Sequence, residues 1–287
     1  MAYTTIDKST LYFNTKTYTG TGSSNALTGV GFQPDWTWIK NRDQADGHHI
    51  YDVVRGVTKR IRSDTTAAEA TTAQGLTAFG TDGFTVGTEE DVNTNGENFI
   101  SWNWRAGNSA GSSNSDGSIT STVSANTTAG FSIVKYTGTG SNATIGHGLG
   151  AAPNLVIIKN YSRAGENWRV GSITGTVTGT GASNFGASAQ LDNTGGLSAG
   201  STIFNDTAPT STVFSVGTAG STNYSGDNLI AYCFAEKVGY SRFGVYTGNS
   251  DANGPFVFTG FKPAFLMIKE YGASGESWIM LDTGRSA

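Results

Sequence analysis

The feature that most constrains the fold is a unit that occurs three times along the chain. In each copy a proline leads into an apolar strand that ends in lysine, at residues 33–40, 152–159 and 262–269. The prolines, Pro34, Pro153 and Pro263, are 119 and then 110 residues apart, which is the length of a domain and not of a solenoid turn. The spacing therefore predicts successive domains, each with a core of its own.

Further matches extend this alignment. The motif Tyr-Thr-Gly-Thr-Gly-Ser at residues 18–23 returns at 136–141, and its first three residues return at 246–248. Asn98–Trp104 at the end of the first unit matches Asn228–Phe234 at the end of the second. Apolar residues alternate in these segments, as in strands with one buried face. The prediction is an all-β chain of tandem antiparallel β-sandwich domains, jelly-roll or lectin-like.

The same alignment predicts the domain boundaries. A Gly/Ser/Thr/Asn-rich stretch between the first two units indicates a flexible linker, and the third unit stops without the closing Phe-x-Val-Gly and Asn-x-Ile segment. We therefore expect the natural chain to continue past Ala287. The predicted parts are an N-terminal arm at 1–12, repeat 1 at 13–106, a linker at 107–129, repeat 2 at 130–238 and the start of repeat 3 at 239–287.

Composition excludes several classes of protein. With 14% charged and 37% hydrophobic residues, the chain is expected to fold, and no apolar run reaches the roughly 18 residues of a membrane span. The net charge of −4 gives no basic footprint for nucleic acid. Without a recognisable secretion signal, synthesis in a cytoplasm without export is expected. The single cysteine, Cys233, lies in an apolar run and is interpreted as a small buried hydrophobe.

The clusters of polar residues favour structural interpretations over chemistry. Residues 41–47 offer oxygen ligands, but they lack the distal glutamate of an EF-hand, so a polar turn is preferred to calcium. His48 falls where the third unit has Trp278, and a structural replacement is preferred to zinc. The carboxylates at 89–91 have no counterpart in the second unit and indicate a solvated loop. No catalytic residue, cofactor or metal is predicted.

Two sets of residues are candidates for weak contact with glycans. Lys40, Lys159 and Lys269 end the three apolar strands, where a lysine also serves simply to leave the core with its head group in water. Trp168 and Trp278 are the last residues of two matching Glu-x-Trp sequences. Aromatic rings such as theirs can stack on sugar faces. Asp52 and Arg55 recur as Asp282 and Arg285 but have no match in the second unit. A common role for that pair is therefore not expected.

Long strings of residues in one order carry a family resemblance. They include 11–16, 31–40, 82–87, 101–105, 146–150 and 254–263. Through them nearly the whole chain resembles the repeat domains of fibre-like and virion structural proteins of marine bacteriophages, of the kind that infect cyanobacteria and Pelagibacter-type hosts. The resemblance implies a virion protein with no known chemistry and gives no catalytic residues to transfer.

From the residues and the resemblance together we expect a non-enzymatic structural protein of a phage particle. It would belong to a tail fibre or fibre-like appendage that attaches to the host surface. A capsid decoration protein and a virion-associated glycan-degrading enzyme are the alternatives. The expected partners are further copies in a homotrimer, a host glycan or receptor, and other virion proteins held by the N-terminal arm through Tyr3, Ile6 and Leu11.

Overall fold

The computed structural model describes residues 4–172 and 184–285. Antiparallel strands dominate this part of the chain, and its helices are single turns. The all-β prediction is confirmed. Unit 1 denotes residues 13–106, unit 2 residues 130–238 and unit 3 residues 239–287.

Unit 1 contains one large and one small sheet. The large sheet has the order β1-β9-β3-β4-β5-β6 and the small sheet the order β2-β8-β7. The elements are β1 (Phe13–Thr19), β2 (Asn25–Thr28), β3 (Trp36–Asn41), β4 (His49–Asp52), β5 (Lys59–Arg62), β6 (Ala70–Thr71), β7 (Leu76–Gly80), β8 (Gly83–Val86), α1 (Glu90–Asn93) and β9 (Asn98–Trp104).

Unit 2 repeats this plan with two strands added before it. Its large sheet has the order β10-β11-β12-β19-β14-β15-β16-β17, and β13 pairs with β18 in the small one. The elements are β10 (Ser112–Asn114), β11 (Ser121–Asn126), β12 (Phe131–Thr137), β13 (Ala143–Gly146), β14 (Leu155–Asn160), β15 (Arg169–Ser172), β16 (Ala187–Gln190), β17 (Ser198–Ala199), α2 (Ser201–Phe204), β18 (Val213–Val216), α3 (Gly220–Asn223) and β19 (Asn228–Phe234).

The predicted flexible linker is wrong, because residues 107–129 contain β10 and β11. β11 pairs with β12 and extends the large sheet of unit 2. Its alternate residue Val123 is buried, and Ser124 accepts a hydrogen bond from Gly107 N at 3.0 Å. Ser, Thr and Asn make up most of β10 and β11, and they hide the alternation of apolar residues that would have predicted these strands.

Unit 3 contributes two paired strands, β20 (Phe265–Ile268) and β21 (Ile279–Asp282). They correspond to β3 and β4 of unit 1, because Pro263 precedes β20 as Pro34 precedes β3. Before unit 1, a 3-10 turn at Ser9–Leu11 leads into β1.

The principal core lies between the two large sheets. Trp36 of unit 1 packs against Phe131 and Tyr232 of unit 2, with ring centroids 5.6 and 4.4 Å apart. Phe265 of unit 3 packs against Phe13, 5.4 Å away, at the edge of the same cluster. The expectation of separate cores is thus incorrect here, since both faces of each large sheet are apolar and the inner faces cover each other.

Each of units 1 and 2 also has an outer core between its large and small sheets. In unit 1 it holds Tyr18, Phe84 and Phe99, and in unit 2 Tyr136 and Phe214. In units 1 and 2 the small sheet therefore covers the outer face of the large sheet, and the inner face of the large sheet belongs to the shared core.

The repeated Tyr-Thr-Gly motif anchors the outer core. The Tyr18 hydroxyl donates to Val92 O at 2.7 Å, and the Tyr136 hydroxyl to Thr222 O at 2.7 Å. A Cβ at Gly20 would run into Thr94 O, so only glycine lets the two segments approach so closely. In both units the partner of this motif is the turn before the last strand.

Candidate functional site

The interface between units 1 and 2 recurs, bond for bond, between units 2 and 3. Four hydrogen bonds define it in each case. Between units 1 and 2 they are Trp168 Nε1 to Arg62 O (2.8 Å), Lys159 Nζ to Thr66 O (3.2 Å), Gly165 N to Thr66 O (2.9 Å) and Glu69 N to Tyr161 O (2.8 Å). Between units 2 and 3 they are Trp278 Nε1 to Gln190 O (2.7 Å), Lys269 Nζ to Thr194 O (3.3 Å), Gly275 N to Thr194 O (2.9 Å) and Leu197 N to Tyr271 O (3.1 Å). Unit 3 sits on unit 2 as unit 2 sits on unit 1.

Two further hydrogen bonds between units are equivalent to each other, and the second of them joins unit 3 to unit 1. Asp52 Oδ2 accepts from the Tyr232 hydroxyl at 2.8 Å, so unit 1 holds unit 2. Asp282 Oδ2 accepts from Trp102 Nε1 at 3.1 Å, so unit 3 holds unit 1. Trp102 and Tyr232 are equivalent residues of β9 and β19. The three units therefore follow one another head to tail around a common pseudo-threefold axis.

The recurring Asp/Arg pair supports these contacts. Asp52 Oδ2 lies 2.6 Å from Arg55 Nε, both side chains are buried, and Arg55 also meets Glu69 at 3.1 Å. Burial opposes the charge of Arg55, but Asp52, Tyr232 and Glu69 outweigh it and hold its pKa above the ordinary value. Burial, and then Asp52, raise the pKa of Tyr232. The ion pair thus keeps a carboxylate oxygen aimed at the next unit.

The three lysines also serve the interfaces or their own loops. Lys159 is fully buried and donates to Glu166 O at 2.6 Å besides its bond across to unit 1; burial lowers its pKa to about 8. Lys269 repeats both contacts in unit 3. Lys40 instead donates to Asn41 O and Gln44 O. Since Lys159 and Trp168 are buried, a glycan cannot reach them in this arrangement.

At the third seam, between units 3 and 1, the interface stays open. Unit 3 has no counterpart of β5 or β16 among its described residues, and His48 stands where units 2 and 3 have the interface tryptophan. His48 Nδ1 accepts from Trp38 Nε1 at 2.9 Å, and burial, first of all, lowers its pKa to about 4. The neutral ring therefore completes a contact within unit 1.

A cleft of about 290 Å³ opens at this seam, with walls from all three units. Unit 1 contributes Trp38 and His48, and unit 3 contributes Trp278, which is also a predicted glycan contact. Unit 2 contributes Asp192 and Asn193. Aromatic faces beside carboxylate and amide groups are a combination that suits a polar ring such as a sugar.

Two carboxylates line this cleft at equivalent positions, Asp64 after β5 and Asp192 after β16. Burial acts to raise the pKa of Asp64, but hydrogen bonds from Arg62 and His48 N outweigh it and lower that pKa. For Asp192 burial prevails and raises the pKa. Sequence reasoning missed this pair, because the strands before the two aspartates share no residue pattern.

The predicted attachment residues lie at the start of the chain. Ile6 is buried against the body of the molecule, Leu11 is exposed, and Tyr3 lies outside the described residues. The role of the arm stays a prediction.

The other candidates have local partners. Asn41 donates to Asp46 and Glu97 at 2.6 Å each, which ties down the turn at 41–47. Asp91 approaches Arg60 at 3.3 Å and the buried His49 at 3.3 Å. Within residues 4–172 and 184–285, no group of three His, Cys, Asp or Glu side chains could hold a metal ion. None of the helices in the same ranges is long and apolar enough to cross a membrane.

Comparison with known proteins gives one result for the chain as a whole. Residues 8–287 match a family described as a domain of unknown function, DUF7483. Neither the curated proteins nor the solved structures gave a match. Because the match covers all three units, the chain belongs to the DUF7483 family.

Proposed function

We propose that the chain is a non-enzymatic structural protein of a phage particle, in a tail fibre or fibre-like appendage that attaches to the host surface. The observation that carries this proposal is the interface that occurs twice along the chain, between units 1 and 2 and again between units 2 and 3. Units that pack head to tail through one repeated interface suit a protein that is part of a larger assembly. The phage context comes from the sequence resemblance.

The use of the charged side chains supports a structural role. Asp52, Arg55 and Lys159 are buried ionisable groups that a catalytic site could use. Asp52 and Lys159 instead bond across the interface between units 1 and 2, and Arg55 holds Asp52 in place. Their hydrogen-bonding groups are satisfied by protein partners, which is typical of buried polar residues with a structural role.

The cleft at the third seam supports contact with a host glycan. Trp278 offers an aromatic wall, and Asn193 with the two aspartates offers polar groups around it. The proposed partners remain a host glycan, further copies in a trimer, and virion proteins bound through the N-terminal arm. A capsid decoration protein would share this chemistry and differ only in its place of attachment.

Binding of purified protein to host cells tests the glycan contact. Ser277→Trp places a large ring on the exposed rim of the cleft and is expected to reduce binding at least about tenfold. Thr17→Trp, on an exposed position of β1, is the matched control and should bind normally. Equal binding by both variants would contradict the cleft as the contact. Electron microscopy of particles with a label on unit 1 tests the virion location.

A glycan-degrading enzyme is the second candidate, and one observation favours it. Asp64 and Asp192 line one cleft with pKa values shifted in opposite directions, as in an acid and base pair. Release of reducing sugar from host polysaccharide by the wild type, lost in Asp192→Asn, would establish it. No release by a protein that still binds the polysaccharide would favour adhesion.

A further inference from the structure

A buried histidine joins two loops at the end of the small sheet of unit 2. His147 lies in the loop 146–150 that follows β13, and its side chain is fully buried. Its Nδ1 accepts a hydrogen bond from Leu149 N at 3.2 Å, within the same loop. Its Nε2 lies 3.2 Å from Thr210 O, in the segment 205–212 that precedes β18. We call these two bonds the histidine clip.

The two bonds fix the protonation state of the ring. Nδ1 accepts from an N–H and therefore carries no proton, whereas Nε2 carries the proton that it donates to Thr210 O. A second proton would have to go to Nδ1, where it would face Leu149 N–H. Two donors would then meet without an acceptor, and burial disfavours the uncompensated charge. The histidine clip is therefore closed only when the ring is neutral.

The surroundings of the ring include one charged group that acts on it. Burial lowers the pKa of His147 from the ordinary value of 6.5, although the bond to Thr210 and the charge of Asp116 act to raise it. Asp116 is exposed and precedes β11. Asp206, in the same segment as Thr210, is exposed as well. β11, β13 and β18 contain no ionisable side chain, so Asp116 is the group that can adjust the pH at which the ring gains a proton.

Unit 1 fastens the corresponding loop with a carboxylate. Both loops contain Gly-x-Gly, with Val30 in unit 1 and Leu149 in unit 2 buried between the glycines. In unit 1, Asp82 accepts from Gly29 N at 2.9 Å and from Gly31 N at 2.6 Å. These two bonds lower the pKa of Asp82 below its ordinary value of 3.8. Asp82 precedes β8 as the segment 205–212 precedes β18, so the same two parts of each unit are joined.

The two fastenings weaken in different pH ranges. For His147 the open loop binds the proton more tightly than the closed loop does. Closure is therefore fully favoured above about pH 6.5 and loses stability as the pH falls below that value. For Asp82 the ionised form closes the loop, so closure loses stability only as the pH falls below about 3.8. Between these values the loop of unit 2 is weakened and the loop of unit 1 is not.

The small sheet of unit 2 has little else to hold it at this end. It has two strands, whereas the small sheet of unit 1 has three. Residues 206–210 lie in the place of β7 but form no strand, and they include Pro209, which cannot donate to a ladder. Ile145, Leu149 and Phe214 are buried beneath this sheet. Opening of the loop would therefore uncover part of the outer core of unit 2.

We propose that His147 is an acid-released clip, whose protonation separates residues 146–150 from residues 205–212 while the corresponding loop of unit 1 stays closed. Histidine is suited to this role because its charge ordinarily changes near neutral pH. The clip requires no ligand and no second molecule. It is therefore independent of the function proposed above.

Amide hydrogen exchange of the full chain, resolved by residue at about pH 7.5 and about pH 4.5, tests the clip. The amides of His147, which donates to Thr212 O at 3.1 Å, and of Leu149 report on the loop of unit 2. After correction for the intrinsic pH dependence of exchange, their protection is expected to fall about threefold or more at the lower pH. The amides of Gly29 and Gly31 should keep their protection, and they are the control within the same molecule.

Two variants separate the ring from other effects of acid. In His147→Asn the side-chain carbonyl can still accept from Leu149 N two residues on, but it cannot gain a proton. Protection in this variant should be the same at both pH values. In Asp116→Asn the charge that favours the protonated ring is removed, so the loss of protection should move to lower pH.

Four results would overturn the proposal. Unchanged protection of His147 and Leu149 in the wild type would show that acid does not open the loop. An equal loss at Gly29 and Gly31 would indicate general unfolding in place of a local release. A loss that persists in His147→Asn, or one that does not move in Asp116→Asn, would assign the effect to another group.

Discussion

At the residue scale, two buried tyrosine hydroxyls of unit 2 make different kinds of hydrogen bond. Tyr232 donates to Asp52 across the seam, while Tyr136 donates to a carbonyl within unit 2. Both hydroxyls are buried, but only the first meets a carboxylate. A bond to a charged partner is worth more than a neutral one.

Removal of these two hydroxyls should therefore have unequal effects. Tyr232→Phe is expected to lower the free energy of unfolding by about 2–3 kcal/mol, and Tyr136→Phe by about 1 kcal/mol. Urea unfolding measures both. Equal losses would mean that the Asp52 contact adds nothing to the interface.

Lys159 predicts a specific pH dependence. Its pKa is about 8 in the folded protein, against 10.5 ordinarily. Between these values the unfolded chain binds the extra proton, so the contribution of Lys159 to stability rises with pH and is least favourable below pH 8.

Thermal unfolding from pH 7 to 10.5 checks this, with Lys159→Met as the reference that cannot titrate. The wild type should gain melting temperature relative to Lys159→Met as the pH rises. A constant difference between the two proteins would show that folding does not lower the pKa of Lys159.

At the element scale, periodicity predicted the strands that carry large apolar residues and missed those that do not. β3, β9, β14 and β19 follow from their alternation or apolar runs and from the prolines. β10 and β11 were not predicted, because they consist mostly of Ser, Thr and Asn, which are also typical of loops. The cleft could not be predicted, because Asp64 and Asp192 become neighbours only through the packing of units far apart in sequence.

A proline substitution distinguishes a strand from a linker in residues 107–129. Thr122 pairs with Ser113 on one side and Lys135 on the other, so Thr122→Pro should lower the melting temperature and admit cleavage by a protease of broad specificity. Thr127→Pro, in the following turn, is the control and should leave both unchanged. A flexible linker would tolerate the two substitutions equally.

At the scale of the whole molecule, the core shared between the large sheets means that the units depend on one another. Sequence alone predicted three units but not that two apolar faces of one sheet would be buried against different partners. Trp36 and Trp38 lie on the inner face of unit 1, and without unit 2 that face would meet water.

Calorimetry distinguishes a shared core from independent domains. The full chain is expected to unfold in one transition, with a ratio of calorimetric to van't Hoff enthalpy of about 1. A fragment of residues 1–106 should fail to fold as a soluble monomer, because its tryptophan face would be exposed. Two separate transitions, or a stable isolated fragment, would contradict the shared core.

The arrangement of the three units around the pseudo-threefold axis also affects how the chain folds during synthesis. Tyr240, at the start of unit 3, packs against Tyr12, 6.2 Å away, immediately before unit 1, so the start of unit 3 returns to the segment that leads into unit 1. Contacts between such distant residues form late and slow folding. On the ribosome, unit 1 must therefore wait with its tryptophan face uncovered until unit 2 emerges, and this interval is the period of greatest exposure to aggregation and to chaperones.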